Sequence, residues 1–366
     1  MSSFKSEEPP MAKAVVVVAC GLAFFCTGCL HSKVGPQSLP RDRSLYSASI
    51  ADSWKEQTLL NIVKVRYLDM PVFVDIGNII SSYTLALGGT VGGTIVPNGS
   101  NSAVLGGSVN FSNSPTITYT PLTGNAYIKG LITPLPAPIV FAAIQNGLPA
   151  DSTLLTSIAS INGLRNQTVT LQGVAPADAD FHRVRELLRE IQISGAIRLY
   201  VKDDGKNQTS VVGLRTNDVP PEIQAASKEL RALLHLNPEA TEFTLVSAPL
   251  PANDMEVAVM TRSISAMIQN MAAQVEVPSE EVAQHRAFPG VEAGRDLPGI
   301  VPMIRIHSSK NKPNDPFVDV FYRNTWFWID DGDLVSKSSL IQLMQLFTMM
   351  DTAPKENLPV VTIPSR

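Results

Sequence analysis

Apolar side chains recur with a helical period in several parts of the chain. Leu59, Ile62, Val63 and Arg66 stand at positions i, i+3, i+4 and i+7, which is the spacing of residues on one face of an α-helix. This pattern predicts a helix over residues 50–66. Comparable patterns, several of them bounded by proline or glycine, predict further helices. These helices cover residues 138–146, 176–192, 221–236, 264–277 and 334–350.

Shorter apolar or alternating stretches between turn-forming residues predict strands. Residues 317–322 and 326–329 are joined by a tight turn, so they predict a hairpin. Residues 72–76 form a short apolar run that fits either a buried strand or the start of a helix. This mixture predicts an α+β fold, in which helices accompany antiparallel strands and hairpins. The other predicted strands cover residues 196–201, 256–260 and 303–307.

The segment over residues 85–120 is rich in glycine, and no charged residue lies between Gly88 and Thr123. Small, polar and apolar residues alternate on both sides of the turn-forming residues 97–101, which predicts a long hairpin. A flexible surface loop and a hairpin packed within a soluble domain are two further interpretations. A charge-free alternating hairpin is also what each subunit contributes to some oligomeric outer-membrane assemblies, with one face toward lipid and the other toward water.

An uncharged apolar segment over residues 14–25 leads directly into Cys26-Thr27-Gly28-Cys29. The segment is too short to span a membrane, which takes roughly 20 apolar residues, and has the length of the core of a secretory signal peptide. Thr27, Gly28 and Cys29 resemble the last three positions of the lipobox of bacterial lipoproteins, with Cys26 in place of the usual Leu. The resemblance implies that Cys29 is diacylated, that the chain is cut before it, and that the new N-terminus is acylated in turn.

Either Met1 or Met11 fits as the translation start, because Glu7 and Glu8 are out of place at the beginning of a signal peptide. Two of the three cysteines lie in the segment that would be removed, so we expect no disulfide. Leu30 follows the lipobox cysteine where lipoproteins retained in the inner membrane have Asp. The resemblance therefore implies a lipid anchor in the outer membrane, with the body of the protein on the periplasmic face.

The predicted organisation has four parts. Residues 1–28 are a lipoprotein signal peptide, and residues 29–48 are a tether between lipid and fold. Residues 49–175 form an N-terminal domain that contains the glycine-rich hairpin of residues 85–120. Residues 176–366 form a C-terminal α+β domain. Two domains are expected because cleavage would leave more chain than one ordinary core takes up.

Charge and motifs exclude several classes of function. The chain has 29 Lys and Arg against 33 Asp and Glu, a net charge of −4, which excludes a nucleic-acid binder that depends on bulk positive charge. The five histidines have no zinc-binding spacing, and glycine-rich nucleotide loops are lacking. Residues 330–333, Asp-Asp-Gly-Asp, depart from the calcium-loop pattern and are predicted to cap the next helix. We expect no catalytic residue, metal ion or cofactor, and no enzyme.

The densest aromatic cluster lies in the predicted hairpin and includes Phe321, Tyr322, Trp326, Phe327 and Trp328. In a strand, Trp326 and Trp328 share one face and Phe327 lies on the other. The strand is therefore either covered on both faces in the core, or its tryptophans form a platform for a sugar or a peptide. Trp326 and Trp328 are the candidate ligand-binding residues, and their exposure would favour binding.

Residues 256–278 and 325–346 are similar to a family of bacterial envelope lipoproteins of unknown function, so the resemblance carries no activity. We expect a structural or assembly component of an envelope complex. Its expected partners are the membrane, through the lipidated N-terminus, and copies of itself or other envelope proteins. The alternatives are a lipoprotein that binds a ligand or peptidoglycan, and a periplasmic hydrolase in which His307 or His285 meets carboxylates in the fold.

Overall fold

The fold is α+β, as predicted. The computed structural model describes residues 39–80, 83–94, 102–113, 116–203, 208–291, 297 and 299–350. The signal peptide, Cys29 and most of the predicted tether lie outside the described residues. None of the helices within these ranges is both long enough and apolar enough to cross a bilayer.

Helices and strands are distributed along the whole described chain. The helices are α1 (Leu39–Arg66), α2 (Gly124–Tyr127), α3 (Ala137–Gln145), α4 (Ala150–Ser157), α5 (Ala179–Ile193), α6 (Pro221–Leu233), α7 (Ile264–Ala272), α8 (Ser279–Ala283) and α9 (Leu334–Met350), and a π-helical turn over Ile128–Ile132 follows α2. The strands are β1 (Val74–Ile80), β2 (Tyr83–Thr94), β3 (Ser102–Asn113), β4 (Thr116–Pro121), β5 (Ile158–Ile161), β6 (Leu164–Arg165), β7 (Thr168–Thr170), β8 (Gly173–Ala175), β9 (Ile197–Asp203), β10 (Gln208–Leu214), β11 (Glu242–Val246), β12 (Glu256–Thr261), β13 (His307–Ser309), β14 (Pro316–Tyr322) and β15 (Thr325–Asp330).

The described chain separates into two compact units. The first contains residues 39–51 and 76–118, and the second contains residues 52–75 and 119–350. The first unit includes β2 and β3, which pair with each other. The second unit contains a large sheet, described next. Its strands come from both sides of position 175, where the sequence predicts a domain boundary.

The main sheet of the second unit has six strands in the order β6-β5-β12-β11-β10-β9. Neighbouring strands are antiparallel except for β11 and β12, which are parallel. Helix α3 packs against β9, β11 and β12, and α5 packs between α4 and α6. A smaller sheet of three strands, in the order β13-β15-β14, belongs to the same unit.

The core contains the apolar stripes that the sequence predicts. In α1, Leu59, Ile62 and Val63 are fully buried. In α5, one face buries apolar side chains because they recur every three or four residues. The buried residues of α5 are Phe181, Val184, Leu187, Leu188 and Ile191.

Two predicted elements differ from the structure. Helix α1 begins at Leu39, so residues 39–48, which the sequence assigns to the tether, are helical. The strand predicted over residues 303–307 is also wrong, because of these residues only His307 belongs to β13. Ile304 and Ile306 are buried and Arg305 is exposed, so the alternation reflects an extended segment against the core. Ile306 makes one isolated parallel bridge, to Val275.

Arg66 and Arg262 lie in the core of the second unit and are held by carbonyl groups. Arg66, fully buried, donates from Nε to the carbonyl of Val275 at 3.1 Å and from Nη2 to that of Pro289 at 3.0 Å. Arg262 donates from Nη1 to the carbonyl of Leu155 at 2.8 Å, and from Nη2 to a second carbonyl. Burial lowers the pKa of each guanidinium to about 10.

Candidate functional site

The first candidate site is the two-stranded ribbon formed by β2 and β3, called the ribbon below. The strands are antiparallel and pair over twelve residues each, from Tyr83 with Asn113 to Thr94 with Ser102. A hairpin, the main interpretation of the sequence, is therefore present in these strands. The predicted turn at residues 97–101 lies outside the described residues. Among the residues that the structure describes, no third strand joins the ribbon.

The register of the ribbon sorts its residues by polarity. At odd-numbered positions it pairs Leu85 with Phe111, Leu87 with Val109 and Val91 with Leu105, so apolar residues stand opposite apolar residues. At even-numbered positions small or polar residues stand opposite each other in most pairs, as in Thr84–Ser112, Gly88–Ser108 and Thr90–Gly106. Since successive strand positions alternate between the two sides of a sheet, the ribbon has an apolar odd-numbered side and a largely polar even-numbered side.

The ribbon is open to solvent wherever its exposure is described. Residues 88–90, 92, 106–108, 110 and 112 are all exposed. Strand β4, which pairs with β1, is likewise exposed along its whole length and presents Ile117 and Tyr119, the latter with 62% of its surface accessible. A two-stranded ribbon of this kind has little stability of its own in water.

The second candidate site is the outer face of the three-stranded sheet. Strand β15 lies in the middle, and its register pairs Trp328 with His307 on β13 and with Asp319 on β14. Trp326 and Trp328 are partly exposed, whereas Phe327 between them is fully buried. The inner face of the sheet therefore belongs to the core, and the two tryptophans belong to a surface. This surface, made by Trp326, Trp328, His307, Asp319 and Phe321, is called the aromatic face.

Neighbouring side chains hold both tryptophans in place. The Trp326 ring lies 5.0 Å from the Phe321 ring, centroid to centroid, and the ammonium of Lys312 lies 4.9 Å from its centroid. The Trp328 ring lies 5.4 Å from the His307 ring, and its Nε1 donates to Oδ1 of Asp330 at 2.9 Å. Rings held in this way lose little freedom when a ligand binds.

His307 is the histidine that the fold brings together with carboxylates. Its Nδ1 atom lies 3.1 Å from Oε1 of Glu276, and its Nε2 atom lies 3.3 Å from Oδ2 of Asp330. The hydrogen bond with Glu276 raises the pKa of the imidazole above its ordinary value, with a smaller contribution from the charge of Asp330. No motif or periodicity in the sequence marks Glu276, which lies in a connecting segment 31 residues away.

The arrangement around His307 is suited to holding a proton rather than to transferring one. A general base needs a ring nitrogen that faces its substrate, whereas both nitrogens of His307 face carboxylates. An open cleft of about 670 Å³ lies beside His307 and Asp330, and Ile304, Val301 and Val335 contribute to its lining. The described lining of this cleft contains no phenylalanine, tyrosine or tryptophan.

Among residues 330–333, Asp333 caps the next helix as the sequence predicts, whereas Asp330 ends β15 beside His307 and Asp331 pairs with Lys337. Asp333 accepts from the backbone N–H of Ser336 at 3.0 Å and from its hydroxyl at 2.6 Å, so it caps the first turn of α9. Within the described residues, no group of three or more His, Cys, Asp or Glu side chains is placed to hold a metal ion.

Comparison with known proteins adds no relative: no family model matches the chain, and no curated protein or solved structure matches it at a significant level.

Proposed function

We propose that the protein is an outer-membrane lipoprotein, anchored by acyl chains on Cys29, whose copies associate through the ribbon as a structural component of a cell-envelope complex. The body stands on the periplasmic face and carries no enzymatic activity. Two or more acyl chains would hold the protein stably at the membrane, which a single chain does not.

The observation that carries this proposal is a ribbon of twelve paired residues per strand without a third strand in the described chain. Within the described residues neither outer edge of the ribbon pairs with a further strand, and an edge of this kind can take up a strand from another chain. Soluble proteins usually protect such edges with charges, especially lysine. No Asp, Glu, Lys or Arg occurs between Asp75 and Lys129, so this protection is lacking.

A second copy of the chain is a suitable partner for these edges. Two uncharged ribbons approach each other without electrostatic repulsion, and pairing along one edge would satisfy backbone groups on both copies. Pairing would also add strands to a ribbon that is marginally stable alone. Because each copy offers two edges, the association can continue from copy to copy.

The native mass of the protein, extracted from its own membranes in mild detergent, tests this proposal. We expect a large complex of defined mass that contains several copies of the chain. The variant Cys29→Ala serves as the control for anchoring, and we expect it to leave the membrane fraction. A monomer in the detergent extract of the unaltered protein would contradict the assembly function.

Binding of a glycan such as peptidoglycan is a second candidate function, and the partial exposure of Trp326 and Trp328 favours it. A pyranose ring presents C–H groups that suit the negative face of an indole, and hydroxyls that suit a polar neighbour such as Asp319. Titration of tryptophan fluorescence with soluble peptidoglycan fragments tests it. Trp328→Ala should abolish the response, whereas Trp54→Phe should leave it in place.

A further inference from the structure

The long uncharged stretch that contains the ribbon suits a low-dielectric environment as well as an edge-to-edge contact. No Asp, Glu, Lys, Arg or His occurs from residue 76 to residue 128. A Lys or Arg on the lipid-facing side of a membrane-spanning strand is most costly at the middle of the bilayer. The ribbon avoids this cost throughout its length.

The length of the ribbon also matches a bilayer. A spanning strand takes roughly 9–11 residues at a tilt of about 45°. Strands β2 and β3 have 12 residues each, which corresponds to about 40 Å of extended chain. The ribbon is therefore long enough to cross the hydrocarbon layer.

The two sides of the ribbon differ in polarity, as a ribbon that crosses a bilayer requires. Leu85, Leu87 and Val91 occupy odd-numbered positions and stand opposite Phe111, Val109 and Leu105. Threonine, serine, asparagine and glycine occupy most of the even-numbered positions, and Ala86 and Val104 occupy the other two. This period of two is the pattern of strands that have lipid on one side and water on the other.

We infer that the ribbons of associated copies insert together into a lipid bilayer, with the odd-numbered side against the hydrocarbon chains and the even-numbered side against water. This inference rests on the proposed assembly, because a single ribbon would carry unpaired backbone groups into lipid, where no water can satisfy them. Edge pairing between copies satisfies these groups. Insertion and association therefore depend on each other.

Single cysteines at neighbouring positions of the ribbon test the inference. The chain has three cysteines, all at or before residue 29, so a cysteine added to the ribbon of the processed, lipidated protein carries the only reactive thiol. Leu87→Cys and Val109→Cys report on the odd-numbered side, and Ala86→Cys and Asn110→Cys report on the even-numbered side. Lys228→Cys, at an exposed position of α6, is the control in the body.

Each variant is labelled with an environment-sensitive fluorophore and reconstituted into vesicles of phosphatidylethanolamine and phosphatidylglycerol. We expect lipids with a spin label on the acyl chain to quench the odd-numbered positions at least twofold more than the even-numbered ones. Aqueous iodide should quench the even-numbered positions and the control in the body instead. The native mass of the same samples is measured in parallel.

Two results would overturn the inference. Equal quenching by iodide on both sides would place the ribbon outside the bilayer. Protection of the odd-numbered side from iodide without quenching by the spin-labelled lipid would mean that apolar sides of two copies face each other. In both cases a large native mass would leave the proposed assembly standing, whereas a monomer would show that the assembly itself is wrong.

Discussion

The Nδ1 atom of His307 and the Oε1 atom of Glu276 lie 3.1 Å apart, and Asp330 stands 3.3 Å from the other ring nitrogen. In its protonated form, the imidazole joins β13 to β15 and to the segment that follows α7. The positive charge of Arg305 lowers the pKa of His307. With two carboxylates against one arginine, the charged form of His307 is favoured.

Because the folded-state pKa of His307 is raised above its ordinary value of 6.5, the stabilisation is fully present below pH 6.5 and is lost as the pH rises through the folded-state pKa. We expect His307→Gln to be less stable than the unaltered protein at about pH 6, by about 1 kcal/mol or less because the pairs are partly exposed. The difference should shrink toward about pH 9. Urea unfolding at both pH values checks this.

A constant difference between the two proteins across this pH range would contradict the role assigned to the imidazolium. His235→Gln is a matched control, because no carboxylate partner of His235 is described and the substitution is the same. Its free energy of unfolding gives the reference for a histidine-to-glutamine change at an exposed position.

Arg262 is expected to be essential for the stability of the second unit. It is 94% buried, and its guanidinium binds the carbonyls of Leu155, Thr156 and Gln167. Arg262→Met keeps much of the volume but removes these charge-assisted hydrogen bonds inside the core, so we expect a loss of about 3 kcal/mol or more in the free energy of unfolding. Arg215→Met, at an exposed position, should change it by about 0.5 kcal/mol or less. Thermal unfolding followed by circular dichroism measures both variants.

Substitution of Arg262 by Lys separates charge from geometry. A lysine keeps the positive charge but has a single donor group, so it cannot reach the three carbonyls with a planar fork. We expect Arg262→Lys to be destabilised nearly as much as Arg262→Met. Full stability of Arg262→Lys would show that the charge alone matters.

Neighbouring positions of β15 should respond very differently to truncation. Phe327 is fully buried, so Phe327→Ala is expected to cost about 3–5 kcal/mol through lost burial and a cavity. Trp328 lies on the partly exposed aromatic face, and Trp328→Ala should cost clearly less. Chemical unfolding curves of the two variants give the comparison. Equal losses would mean that both faces of the small sheet are covered, which was the other interpretation of the sequence.

The sequence predicts local structure well and contacts between residues that are distant in the chain poorly. The buried stripe of α5, the hairpin of β14 and β15, and the cap at Asp333 all follow from residues that are close in the chain. The partnership of His307 with Glu276 joins residues that no periodicity connects. The sequence likewise does not predict the burial of Arg262 against Leu155 and Gln167, because arginine is ordinarily exposed.

The ribbon shows what becomes available only when the register is known. Its alternation and its lack of charge are evident in the sequence, and they predict a hairpin. The pairing of Leu85 with Phe111 and of Val91 with Leu105 depends on the register, and a shift of one residue would mix the two sides. The division of the ribbon into an apolar and a largely polar side is therefore a structural finding.

The most direct test of the assembly removes the ribbon and measures the native mass. Residues 84–112 are replaced by Asn-Gly, which joins the paired residues Tyr83 and Asn113 through a tight turn that suits a hairpin. The control variant carries Thr90→Ser and Ser108→Thr, which keep the ribbon uncharged. Circular dichroism verifies that the body of each variant is folded. We predict that the shortened protein runs as a monomer in mild detergent while the control keeps the mass of the complex; a shortened protein that keeps this mass would contradict the account.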